Sequence, residues 1–265
     1  MNEIVENINK EYLLNINQIE KNEESTVGNV YILYSEGLRF VGKIYDDLNH
    51  VNSMIHLHQN LYNNKFNVPK IINNKNNVGY IELNKNKYLV IYSFLEGVQL
   101  GKIYKKLPND VIKNVAIKLK EFHELTSNTN IYNLKDIPIK NKQNIKRYSA
   151  LHFDFTKMNL FLNNQNKIGI IDFDDAKYGP SICDIAIAIT NLFFSKTNGV
   201  DIEGVKLFID SYYKNDLDLK QNEISYIKFY AIEWINYIMN ENEFDTSMKE
   251  SFIVKKQLID EYLNL

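Results

Sequence analysis

The chain has one cysteine, Cys183, among 265 residues. A single thiol excludes an internal disulfide and a multi-cysteine zinc site, and it suits a reducing compartment. Excess positive charge is also missing. A net charge of −2 argues against nucleic-acid binding, which calls for a basic stripe. No apolar run is long enough to cross a bilayer, and the opening MNEIVENINKEYLLN is polar and acidic, unlike a signal peptide. These absences predict a cytoplasmic protein with no nucleic-acid or membrane partner. What is present suffices for a substantial core: 45% of residues are hydrophobic and 24% charged. The length fits one large domain or two lobes around a cleft.

Asparagine pairs stand at 63–64, 73–74, 76–77 and 163–164. Periodic apolar residues run through these regions, so a prion-like tract is the weaker reading and AT-rich coding bias the better one.

The first hundred residues read mainly as strands. NVYILY (29–34) and RFVGKIY (39–45) flank Ser35-Glu36-Gly37, a hairpin signal. VPKII, VGYIEL and YLVIYSFL follow as strand candidates. Between them Val51, Met54, Ile55, His58 and Leu61 recur at helical spacing, and Ile4, Ile8 and Leu13 suggest an opening helix over 2–14. After Gly97 the texture turns helical. Residues 108–126 carry Pro108 near a start, Asp110 as a candidate cap, and an apolar face of Val111, Val115, Leu119 and Phe122. A basic, Asn-rich connector spans 127–149, and nearly everything beyond Pro180 reads as helix. The expectation is an α+β chain with a small β-rich lobe over 1–95, a larger helical lobe over 96–265, and a hinge at about 93–97.

Residues 151–180, LHFDFTKMNLFLNNQNKIGIIDFDDAKYGP, concentrate the chemistry. Acids rarely sit among Leu, Phe and Ile unless they are paired, bind a metal or react. His152-x-Asp154-x-x-x-x-Asn159 is followed by IGIIDF, which puts Asp172 at the end of a short apolar strand. One amide and one carboxylate suit a hard cation such as Mg²⁺. A remaining carboxylate can then orient and deprotonate a hydroxyl that attacks a phosphate. A lone His-x-Asp pair is more often structural; the ordered set is the specific signal.

HFDFTKMN followed by IIDFDDAKYGPSICDIA closely resembles the aminoglycoside phosphotransferase and choline kinase-like superfamily, whose fold is the two-lobed protein kinase-like one. The resemblance implies an ATP-dependent small-molecule kinase. Asp154 would take the acceptor proton, Asn159 and Asp172 would hold Mg²⁺, and His152 and Asp184 would support the loop. Lys43 matches the strand lysine that pairs with the α- and β-phosphates. Ser25 and Thr26 occupy the place of the phosphate-covering turn, without a full Gly-rich motif. The backbones of Ser93 and Leu95 would meet the adenine, with Val41, Phe161 and Ile171 as apolar walls. The nucleotide is ATP, with GTP as the alternative.

Two departures qualify the resemblance. Kinases of this fold pair the strand lysine with a helix glutamate, yet residues 48–81 contain no acid; Met54 fills the approximate position, with Asn52, His56 and Gln59 nearby. A catalytically impaired, kinase-fold binding protein is therefore the alternative reading. His50, His56 and His58 are spaced around a helix rather than gathered for a metal. There is also little room between Gly97 and His152 for a large substrate-binding insertion, which makes a metabolite kinase at least as good a reading as a resistance enzyme.

The acceptor should be small. Only eleven residues separate Asp172 from Asp184, too few for a peptide-docking activation segment. Lys157 reads as a solvated loop lysine or a contact to the transferring phosphate. Residues 201–265 hold thirteen acids against seven lysines, which suits a cationic acceptor such as an aminoglycoside or amino alcohol. Asp174, Asp175, Glu233, Trp234 and Tyr237 are the candidate acceptor contacts, although Trp234 and Ile238 are also spaced as core residues. A monomer or a homodimer is expected.

Overall fold

A computed structural model describes residues 2–22, 29–84, 86–127, 130–139, 145–214, 216–241 and 245–264. The chain divides into two compact units, Met1–Glu96 and Gly97–Leu265.

The first unit opens with α1 (Asn2–Glu11), which buries Ile8. The helix ends before Leu13, whose side chain is 94% exposed, so the expected apolar face stops short of it. A strand missed in the sequence follows, β1 (Gln18–Lys21). Its residues are mostly exposed, so no apolar alternation marks it. Next come β2 (Val30–Ser35) and β3 (Leu38–Tyr45), paired from Ser35↔Leu38 to Val30↔Lys43. Glu36 and Gly37 both have positive φ, 48° and 81°. That conformation lets a two-residue turn follow the twist of the flanking strands.

Helix α2 (Leu48–Asn63) starts where the Asp47 carboxylate accepts the N–H groups of Asn49 and His50. Its buried face is Val51, Met54, Leu57, His58 and Leu61; Leu57 joins the expected stripe, and Ile55 is half-buried against the cluster that holds Val51. β4 (Ile71–Ile72), β5 (Ile81–Asn84) and β6 (Lys87–Ser93) complete a six-stranded sheet of order β1-β2-β3-β6-β4, with β5 also on β6. Only two residues of VPKII become strand.

The second unit begins with β7 (Val98–Gln99) and α3 (Leu100–Ile103). Helix α4 (Asn109–Leu125) follows, with Pro108 as its N-cap; Asp110 lies in the first turn instead of capping. There its charge still complements the helix dipole. Val111, Val115, Leu119 and Phe122 are all buried, as the spacing predicts. Each contributes about 1.5–3 kcal/mol of apolar burial. The connector is better packed than its composition suggests, since Tyr132, Leu134, Ile137 and Ile139 are buried.

β8 (Tyr148–Leu151), β9 (Leu160–Leu162), β10 (Ile168–Ile170) and β11 (Lys177–Pro180) form two small sheets, β10-β9-β7 and β11-β8. Helix α5 (Ser181–Phe193) then runs through the core, and every residue except Asn191 is buried. A helix apolar all round can only be central. A two-residue hairpin follows, β12 (Phe194–Ser195) and β13 (Gly199–Val200), then α6 (Ile202–Tyr213), α7 (Leu217–Glu223), a 3₁₀ turn (Ile224–Tyr226), α8 (Ile227–Asn240) and α9 (Thr246–Tyr262). No helix among the described residues is long and apolar enough to span a membrane.

Candidate active site

The β9–β10 hairpin brings the motif residues together. Leu160 pairs with Ile170, which places Asn159 beside Ile171, and the Ile171 N–H donates to the Asn159 carbonyl at 3.0 Å. Asp172 follows directly. The turn between the strands is built by asparagine. Asn163 Oδ1 accepts the N–H groups of Gln165 (2.9 Å) and Lys167 (3.0 Å), and Asn166 takes φ 57°. Asn74 accepts from Asn76 and Val78 in the same way. These asparagines shape turns, a role that coding bias alone does not describe.

The loop after β8 is held from beneath by Asp184, a fully buried carboxylate in the first turn of α5. It accepts the His152 N–H at 2.8 Å and the Phe153 N–H at 3.0 Å. Phe153 sits at φ 66° and Asp172 at φ 67°. A non-glycine residue in this region is strained by about 1–3 kcal/mol and needs surroundings that hold it there. The His152 imidazole donates from Nε2 to the Ile171 carbonyl at 2.8 Å and packs between Phe155 and Phe173. It thereby ties the loop to the hairpin strand.

Behind Asp184 lies a buried polar chain that the sequence did not reveal. His123 Nε2 approaches Asp184 Oδ2 at 3.2 Å, and its Nδ1 meets the Tyr212 hydroxyl at 2.7 Å. Burial pushes His123 below its ordinary value, against the pull of Asp184. The ring is then neutral, donating from Nε2 and accepting from Tyr212. Arg147 lies over the Tyr212 ring and bonds Glu223 at 2.7 Å, and Glu223 also accepts from Tyr213 at 2.7 Å. These partners are 61 to 89 residues apart, or contributed by separate helices, so no local pattern announces them.

Asp154 is half-buried, and Asn159 Nδ2 donates to both its carbonyl (2.9 Å) and its carboxylate (2.8 Å). Burial pushes the Asp154 carboxyl up to about 6; His152 opposes the rise, Asp175 and Asp172 add to it, and Asn159 opposes it. With Nδ2 used on Asp154, Asn159 keeps Oδ1 as an acceptor. Among the described residues no three His, Cys, Asp or Glu side chains gather to hold a metal by themselves. Lys157 turns away from the phosphate role: its ammonium bonds the Tyr104 and Lys105 carbonyls at 3.3 and 3.0 Å, closing the end of α3.

In the first unit Lys43 lies in β3 opposite Val30 and Val90. The group beside it on α2 is His58, not an acid. Burial first, then Lys43, drive His58 down to about 3, while the Pro69 backbone opposes the shift. Val41 packs against Val51, Ile71, Tyr88, Val90 and Tyr92. The Ser93 N–H, expected to face a base, already donates to the Lys70 carbonyl at 2.7 Å, and Ser93 Oγ accepts the Lys70 N–H. Leu95 is half-buried, and Ser25 and Thr26 lie outside the described residues. In the second unit Phe161 is a half-buried β9 residue paired with Gln99 and Gly169.

Of the expected acceptor contacts, Tyr237 packs edge-on against Phe153, ring centroids 5.8 Å apart. Glu233 accepts from Asn236 at 3.1 Å, Asp174 is half-buried and Asp175 exposed. Trp234 is a correction: at 2% exposure it belongs to the core rather than an open wall, packed on Phe252. The acids of the C-terminal helices are largely engaged on the exterior. Glu203, Asp210 and Glu250 pair with Lys206, Lys220 and Lys196, while Asp201, Asp216 and Asp245 cap helices.

The hairpin with Asn159 and Asp172, the loop with Asp154 and the helix with Asp184 all fall within 139–207, the stretch that matches the phosphotransferase enzyme family. The amicoumacin kinase hAmiN, solved with AMP-PNP, Ca²⁺ and Ami, superposes with a TM-score of 0.72 at 15% identity, covering 98% of this chain and 93% of that one. The fold is that of a kinase-like phosphotransferase. Two other kinase-like structures agree. A microcompartment-associated aminopropanol kinase gives a TM-score of 0.71 at 12% identity, covering 98% and 95% of the two chains. Spectinomycin phosphotransferase, solved with ADP and spectinomycin, gives 0.69 at 15% identity, covering 98% and 96%. No curated protein matches the sequence. The β-rich first unit and helical second unit are thus the two lobes of a kinase-like fold.

Proposed function

We propose that the protein is an ATP-dependent kinase of a small hydroxyl compound, using a divalent cation such as Mg²⁺. The observation that carries this reading is the hairpin-built juxtaposition of Asp154 with Asn159 beside the strand end bearing Asp172. Asp172 and Asn159 Oδ1 would hold the cation, offering it hard oxygen donors. When bound, the cation would supply neutralisation of the phosphate charge. Asp154, raised toward neutrality, is tuned for a general base. It accepts the hydroxyl proton as the acceptor oxygen bonds the γ-phosphorus, the bond from phosphorus to the β–γ bridging oxygen breaks, and ADP leaves. Lys43 of the first unit is the phosphate-binding lysine, and the setting is the cytoplasm.

One observation favours a second reading, a kinase-fold binder without turnover: His58 stands by Lys43 where an acid is usual. Measuring ADP release with pooled alcohols, alongside nucleotide binding, separates the two. Asp154→Asn is expected to lower turnover by at least about 10²-fold with nucleotide affinity retained, and Asp172→Ala to remove metal-dependent binding. Unchanged turnover in Asp154→Asn refutes the catalytic assignment. Alcohol-independent nucleotide binding without ADP release selects the second reading.

A further inference from the structure

Lys255 on α9 is half-buried, with its ammonium 5.2 Å from the Phe252 ring centroid and 3.0 Å from Asn191 Oδ1. Lys196 and Lys228 pair with the α9 acids Glu250 and Asp260, whereas Lys256, like Lys255, bonds an asparagine, Asn236. Among the described residues no carboxylate stands within ion-pair distance of Lys255; Asn191 is its hydrogen-bond partner.

Asn191 is the one residue of α5 that is not fully buried, and it gives Oδ1 to Lys255. Its Nδ2 is buried and makes no hydrogen bond. Phe252 also packs edge-on against Trp234 at 5.6 Å, and the buried Trp234 Nε1–H makes none either. A buried donor left unmade costs about 1–3 kcal/mol, so the Asn191 Nδ2–H, on the amide that holds the Lys255 ammonium, calls for an acceptor. Among the described residues, the charged groups acting on Lys255 are Lys157 and Asp154, both of the loop after β8. Burial, then Lys157, lower the ammonium to about 8, and Asp154 opposes them. A bound anion would add to that compensation.

We propose that the acceptor alcohol is anionic, with Lys255, fixed by Asn191, holding its carboxylate or phosphate group while its hydroxyl is presented to Asp154. The inference rests on the kinase reading above and reverses the cationic acceptor that the acid count suggested. Glu203, Asp210 and Glu250 of that count lie in surface ion pairs and Asp201, Asp216 and Asp245 cap helices, whereas Lys255 feels the charges of Lys157 and Asp154.

The test uses a matched series of glycerate, glycerol phosphate, glyceramide, glycerol and serinol, which vary in charge on similar short skeletons. ADP release is measured with the wild type, Lys255→Met and Lys255→Arg. Binding of glycerate and of glycerol phosphate is followed separately through the indole N–H resonance of Trp234, the chain's one tryptophan. At least one anion should shift that resonance saturably, and Lys255→Met should weaken its binding by at least about tenfold, as expected for a hydrogen bond to a charged group. Lys255→Arg should retain it, which shows that loss in Lys255→Met is not misfolding. Turnover should favour the anionic members, and the comparison of glycerate with glycerol phosphate names the anion.

No saturable shift with either anion, or a shift indifferent to Lys255→Met, overturns the inference. So does an equal fall in kcat with every acceptor in Lys255→Met, which would place Lys255 on the phosphoryl group. Turnover that prefers serinol or glycerol overturns it and leaves the kinase reading standing. Anion binding through Lys255 with no ADP release from any alcohol sustains the anion site and counts against the kinase reading instead.

Discussion

Replacing Asp184 by Asn tests whether the loop that bears Asp154 is held by one buried carboxylate. Two backbone N–H groups and the His123 Nε2–H converge on it, at 2.8, 3.0 and 3.2 Å. His152 and His123 share Oδ2, and Phe153 takes Oδ1. An asparagine with its oxygen at Oδ2 keeps two of these bonds but turns an NH₂ toward the Phe153 N–H. The orphaned, buried N–H costs about 1–3 kcal/mol. Turning two charge-assisted bonds into neutral ones costs about 1 kcal/mol each. The sum is about 3–5 kcal/mol, and it falls on a residue already held at φ 66°. Urea unfolding should show that loss, and amide exchange at Phe153 should accelerate more than exchange in α4. ADP release should drop with it, because Asp154 adjoins the strained residue. A stability change under about 0.5 kcal/mol with unaltered Phe153 protection would refute the reasoning.

His58 predicts an acid limit for the first unit. Its folded value of about 3 lies below the unfolded 6.5, so between those limits the unfolded chain binds the extra proton. Stability is therefore full above about pH 6.5 and falls as pH drops, by up to about 1.4 kcal/mol per unit. Unfolding of His58→Gln measured from pH 4 to 7 should show a shallower slope, and an unchanged slope would deny that His58 is buried neutral. Gly97→Ala should cost at least about 2 kcal/mol, since φ is +135° and the new Cβ would lie 2.7 Å from the Leu162 carbonyl oxygen. A thermal scan reads it, and a melting temperature within a degree of wild type would show that the turn relaxes freely.

Local interactions explain what was readable in the chain. Glu36-Gly37 turns because those two positions tolerate positive φ, and the face of α4 follows from a 3.6-residue period. The motif from His152 to Asp172 was legible because its members belong to one loop and one hairpin, so spacing in sequence is spacing in space. Where neighbours from distant segments decide, the sequence was silent or misleading. Trp234 had equal claims to core and cleft until Phe252 covered it. Asn163 and Asn74 looked compositional until their side chains were seen bonding turn amides.

The sequence by itself pointed to the kinase-like fold, through the ordered set of Asp154, Asn159 and Asp172 in the stretch that matches the phosphotransferase enzyme family. Tertiary structure alone decided the buried partners within each unit: His58 held neutral on α2 in the first, and in the second the His123–Tyr212 support behind Asp184 and the Asn191 amide on Lys255. Each depends on a burial or charge supplied by a segment far away in the chain. Such effects have no period and no motif, and arise only once the core has closed.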